Sequence, residues 1–240
     1  MIVLAIDSSG VVASVAIADE KKIITEFTVN NKQTHSQTLL PMVDEAVKMS
    51  GICLEQIDAI AVAAGPGSFT GLRIGASTAK GLGLVLKKPI IPVPTLEGLA
   101  YRVPVFDGLI CPIMDARRNQ VYTGIYRMEG GRLQVVAEQK AVAVEELLTE
   151  LSEFGEKVIF LGDGVDVYED VIREKYDGSF EFAPEHMMKQ SAAAVAALGI
   201  IYYGDGKHES AAEHKPIYLR KSQAEREREA RLKNECKTDE

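Results

Sequence analysis

The sequence predicts an α/β protein made of two similar halves. Two apolar runs carry this reading. Ile2-Val3-Leu4-Ala5-Ile6-Asp7 and Leu109-Ile110-Cys111-Pro112-Ile113-Met114-Asp115 each end in an aspartate, and each precedes two further strand-like runs. A third observation is the glycine-rich stretch 64–83, which joins a short buried strand to a helix.

The elements follow in order. Residues 2–6 are continuously apolar, as in a central strand, and Asp7-Ser8-Ser9-Gly10 turns the chain. Strands are expected over 12–18 and 23–29. A helix is expected over 35–49, with Leu39, Leu40, Val43, Ala46 and Val47 on one side and Pro41 tolerated near its first turn. A strand at 58–63 stops at Gly65-Pro66-Gly67, where Ser68 or Thr70 can cap the next helix. In that helix Gly71, Gly75, Ala79 and Gly83 recur every four residues and so share one face almost without side chains. Either the chain's own sheet or a partner helix could exploit such close approach. A strand at 89–93 and a helix to Ala100 complete a βββαβαβα order.

The pattern restarts at Leu109, with strands at 121–126 and 133–137, a helix at 144–151, a strand at 158–161, a helix at 165–176, a strand near Phe180 and a helix at 191–203. At the offset that matches Asp7 to Asp115, Val15 falls on Thr123 and Ile17 on Ile125. The expected divisions are 1–103, 104–219 and a charged tail, 220–240.

Composition narrows the function. The chain has 240 residues, 46% of them hydrophobic, and a net charge of −8. That charge argues against a protein that holds nucleic acid unaided, since phosphate contacts need clustered Lys and Arg. The N-terminus does not read as a signal peptide, and no apolar run is long enough for a membrane span, so a cytoplasmic protein is expected. Cys53, Cys111 and Cys236 form no CxxC site or disulfide framework. His35, His186, His208 and His214 lack the spacing of a helical metal pair, so no metal or cofactor is assigned.

Asp7 and Asp115 could face each other across a cleft and hold hydrated magnesium beside nucleotide phosphates; equally, each could simply turn the chain. Asp163, between Gly162 and Gly164, has the same two readings, because such turns let a nucleotide approach the backbone. The loop 65–71 could offer N–H groups to an anion, but it lacks the Gly-Lys-Ser/Thr of a P-loop and the G-x-S-x-G of a nucleophile elbow.

Five segments together resemble the TsaB (YeaZ) family: Ala5-Ile6-Asp7-Ser8-Ser9, Gly65-Pro66-Gly67-Ser68-Phe69-Thr70-Gly71-Leu72-Arg73-Ile74-Gly75, Pro92 to Ala100, Asp115-Ala116-Arg117, and Pro216-Ile217-Tyr218-Leu219-Arg220. The resemblance covers residues 1 to about 225 and implies two linked RNase H-like subdomains of the actin/Hsp70/sugar-kinase (ASKHA) type. It implies a role in making threonylcarbamoyladenosine in tRNA, as a non-catalytic subunit beside the catalytic paralogue TsaD and the ATPase TsaE, with tRNA reached only through the complex. TsaD carries an H-x-x-x-H metal motif, and the matching positions here are Thr95 and Leu99, which cannot replace histidine as catalytic-metal ligands. In this family the first two helices pack against TsaD. That places Leu39, Met42, Val43, Ala46, Leu72, Ala76 and Ala79 near the contact, which could also pair with itself as a homodimer. A residual nucleotide site would use Asp7, Ser8, Asp115, Gly162 and Gly164. The competing reading is a nucleotide-dependent phosphotransferase of the sugar-kinase type.

Overall fold

The computed structural model describes residues 1–31 and 33–220. The expected tail therefore lies, except for Arg220, outside the described residues. Among the described residues no helix is long and apolar enough to cross a membrane.

Each half forms one five-stranded sheet, and the two sheets have the same strand order. In the first, β1 (Ile2–Asp7) pairs antiparallel with β2 (Ala13–Asp19), which pairs antiparallel with β3 (Ile23–Val29). On its other side β1 pairs parallel with β4 (Ala59–Gly65), which pairs parallel with β5 (Ile90–Pro94). The second sheet repeats this with β6 (Leu109–Asp115), β7 (Gln120–Glu129), β8 (Arg132–Ala143), β9 (Val158–Leu161) and β10 (Phe180–Phe182). These are the paired RNase H-like lobes, with Asp7 and Asp115 at equivalent strand ends.

The repeat is one residue tighter in the second half than the sequence offset suggests. Ile6 pairs with Val15, whereas its counterpart Met114 pairs with Tyr122, so Val15 matches Tyr122 and not Thr123. The connection after β6 is shorter because Arg117, Arg118 and Asn119 all adopt the left-handed region, with φ of 64°, 59° and 57°. Non-glycine residues rarely do so.

Helices α1 (His35–Ser50) and α2 (Phe69–Leu86) cover one face of the first sheet. Ser68 caps α2 by accepting from the Gly71 amide at 3.3 Å. Pro41 lies at the seventh residue of α1, not in its first turn. It is exposed, so the carbonyl it deprives of a partner sits on the solvent side.

The glycine face of α2 packs on this chain's own sheet. A Cβ at Gly71 would overlap the Ser8 carbonyl, and one at Gly75 would lie 2.5 Å from Ser8 Oγ. The seven residues expected near a partner contact lie on the inner side of these two helices. Leu39, Met42, Val43, Ala46, Leu72, Ala76 and Ala79 are all buried inside the chain, Met42 being the most exposed of them at 8%. The apolar side of an amphipathic helix covers its own sheet first.

Two helices cross between the lobes. Helix α3 (Thr95–Ala100) follows β5 but buries Leu96 and Leu99 in the core of the second sheet. Helices α4 (Val144–Phe154), α5 (Val165–Lys175) and α6 (Glu185–Met188) belong to the second half. Helix α7 (Ala192–Gly204) follows them, yet packs Val195 and Leu198 against Val3, Ala5 and Ala61 on the free face of the first sheet. Gly199 permits this approach, since a Cβ there would stand 2.8 Å from that of Ala61. Tyr202 of α7 also donates a hydrogen bond to Glu97 of α3. The packing thus crosses the division expected at residue 103: strands keep to their side of it and helices do not.

Candidate functional site

The ends of β1 and β6 open onto a cleft of about 580 Å³ between the lobes. Ser9, Gly67 and Phe69 line it from the first lobe, and Asp115, Arg117 and Asp163 from the second.

Asp7 does not line this cleft. It is buried, and its Oδ1 accepts from the Ser9 amide at 2.9 Å and the Ser9 hydroxyl at 2.6 Å. Burial pushes its carboxyl above the usual range, against the pull of those two bonds. Ser8 points the other way: its hydroxyl donates to the Gly71 carbonyl at 2.9 Å and ties β1 to α2. Gly162 and Gly164 back onto β6. Gly162 has φ +103° and abuts the Ile113 carbonyl, and a Cβ at Gly164 would lie 2.9 Å from the same oxygen. Of the five residues expected around a nucleotide, only Asp115 lines the cleft; Asp7, Ser8, Gly162 and Gly164 build the walls behind it.

Asp115 accepts from the Arg117 amide at 2.8 Å and from the Tyr168 hydroxyl at 3.4 Å. The Arg117 guanidinium stands 3.6 Å from its second oxygen. Asp163 also faces the cleft, and its buried Oδ1 has no hydrogen-bond partner among the described residues. Burial pushes this carboxyl up to about 6; the Lys189 charge and a backbone hydrogen bond from Asp115 pull against it, and the Asp115 charge adds only a smaller push upward.

The loop 65–71 is largely satisfied within the chain. Its Ser68 amide donates to the Ser9 carbonyl at 2.7 Å, and Gly67 packs on that same carbonyl. Thr95 and Leu99 are each 1% exposed and lie in the core, away from the cleft. Among the described residues no three His, Cys, Asp or Glu side chains are grouped to hold a metal ion.

One part of the site was not anticipated from the sequence. Residues 216–220 cross the cleft as a strap. The Ile217 amide donates to the Ala64 carbonyl at 2.7 Å, and Tyr218 stacks on Phe69 with ring centroids 4.4 Å apart. At its end Arg220 donates to the Ala116 carbonyl of the other lobe at 3.0 Å. The Pro-Ile-Tyr-Leu-Arg motif was the signal, but nothing in its composition marks a crossing.

Two sheets of one topology, with a cleft between their equivalent strand ends, define a two-lobed protein of the actin/Hsp70/sugar-kinase class. The comparisons with known proteins are more specific. Residues 22–228 match the family model "TsaD: tRNA N6-adenosine threonylcarbamoyltransferase". The Bacillus subtilis "tRNA threonylcarbamoyladenosine biosynthesis protein TsaB" is 37% identical over 94% of this chain and 96% of its own length. The Escherichia coli protein of the same name is 29% identical over 93% and 96%. The solved structure "YeaZ from Pseudomonas aeruginosa" superposes with a TM-score of 0.79 at 26% identity, covering 91% of this chain and 99% of that one. The chain belongs to the TsaB family, within the wider group that the TsaD model describes.

Proposed function

We propose that this chain serves tRNA threonylcarbamoyladenosine biosynthesis as a cytoplasmic, non-catalytic subunit that pairs with TsaD and works with TsaE. Membership of the TsaB family supports the pathway. One observation carries the non-catalytic part: the two positions that match the paralogue's metal-binding histidines are Thr95 and Leu99, both buried in the core. Neither side chain replaces an imidazole as a catalytic-metal ligand.

The partner surface is the outer side of α1 and α2, in place of the buried set expected from sequence. Leu40 and Met49 on α1 are 58% and 67% exposed, and Leu84 and Val85 on α2 are 57% and 81% exposed. Each is a large apolar side chain left exposed on this helix pair, where a partner's surface would cover it. In isolation the same side would serve a homodimer. The test is gel filtration with TsaD. The unaltered chain should co-elute, and Met49→Glu with Val85→Glu should separate the two proteins while leaving the fold intact by circular dichroism. Co-elution of the double variant would reject this surface. Failure of the unaltered chain to co-elute, with no gain in modification activity when it is added to TsaD and TsaE, would reject the function.

A phosphotransferase reading keeps one observation in its favour, the approach of Asp115 and Asp163 to one cleft. Micromolar binding of Mg-ATP by the isolated chain, abolished in Asp163→Asn, would support it over the scaffold role.

A further inference from the structure

We propose that the rim of the interlobe cleft is a direct contact surface for single-stranded RNA, used when the chain is assembled with its transferase partner. The inference rests on the function proposed above. It arises from three segments distant in sequence that meet around one opening.

On the first lobe, Phe69 and Tyr218 are stacked with an interplanar angle of 28°. The Arg73 guanidinium lies 4.1 Å from the Phe69 centroid, and its Nε donates to the Tyr218 hydroxyl at 3.3 Å. This fixes an aromatic pair in place, and Tyr218 remains 39% exposed. On the second lobe, the left-handed turn carries Arg117 and Arg118. The Arg117 side chain is 87% exposed and Arg118 is exposed. Consecutive non-glycine residues in that region store backbone strain, which tends to be retained where a site needs the geometry. Arg220, at the end of the strap, lies between the two lips.

The chemistry selects the ligand. Aromatic faces and guanidinium planes stack with unpaired bases, and arginines on the rim pair with phosphates. The cleft floor carries Asp115 and Asp163, which repel phosphate and accept hydrogen bonds from amino or hydroxyl groups. A strand would therefore keep its backbone on the arginine rim and turn a base inward. A chain of net charge −8 cannot hold RNA on this rim alone. The partner must supply the remaining cationic surface.

The experiment uses the co-purified complex with TsaD and an unmodified tRNA, with binding measured across a salt series. Arg73→Glu and Arg118→Glu should each weaken binding about tenfold and flatten the salt dependence by about one counterion. Tyr218→Ala should weaken it by about fivefold or more with little change in salt slope. In parallel, the unaltered complex is photocrosslinked to tRNA carrying 4-thiouridine in the anticodon loop, and crosslinks are expected in segments 69–73, 117–118 or 218–220. Unchanged affinity and slope in assembled variants, or crosslinks confined to TsaD, would overturn the proposal. Loss of co-elution with TsaD is read separately and counts against the partner surface, not the rim.

Discussion

Asp7, Asp115 and Asp163 all follow a strand, yet their surroundings separate them. Asp7 is closed off behind Ser9, Asp115 is held by Arg117 and Tyr168, and Asp163 faces the cleft with one oxygen unpartnered among the described residues. Asp163 therefore has a pH signature. Its carboxyl titrates near 6 in the folded chain, against about 3.9 in an unfolded one. Below pH 4 it is protonated in both states and carries no penalty. Between about pH 4 and pH 6 the unfolded chain ionises this carboxyl while the folded chain keeps it protonated, so stability falls by about 2–3 kcal/mol over that window and then levels off. Asp7, shifted the same way, adds to this slope. Asp163→Asn should flatten the fall between about pH 4 and pH 6 in urea unfolding, and an unchanged slope would refute the assignment. The sequence marked all three aspartates. It could not rank them, because burial is decided by which loop covers each strand end.

Among the elements, α2 shows what spacing reveals and what it leaves open. A repeat of small residues every fourth position identified a close-packed face, and the face exists. Its neighbour was undetermined, since a sheet and a partner helix offer the same reward. Two substitutions now distinguish contact from exposure within one helix. Gly71→Ala presses a methyl into the Ser8 carbonyl and should destabilise by about 1–3 kcal/mol. Gly81→Ala meets nothing within 4 Å on the exposed side and should stabilise by about 0.4–1 kcal/mol. Thermal unfolding of both variants checks the pair, and equal shifts would mean that the glycine face is not tightly apposed. Strand locations were legible because apolar runs broken by turns are a local signal, but not their lengths: the strand expected over 133–137 runs over Arg132–Ala143. The tighter second repeat was not, since three left-handed residues outside glycine leave no mark in composition.

At the scale of the whole molecule, the two halves exchange helices: α3 completes the second core and α7 the first. Internal similarity was readable from Asp7 and Asp115, but the exchange was not, because α3 and α7 are apolar enough to pack on either sheet. A fragment of residues 1–103 should therefore bind ANS and aggregate, because Val3, Ala5 and Ala61 lose their cover. Adding residues 104–240 should restore a soluble pair. A monodisperse, cooperatively unfolding 1–103 fragment would contradict this.

The late position of α7 has a consequence for synthesis. A ribosome makes every strand of the amino-terminal sheet by residue 94, but the helix that shields its second face is complete only at residue 204. At about 5–20 residues per second, that face waits roughly 5–20 s in the nascent polypeptide. This sets an interval in which chaperone capture competes with completion of the fold.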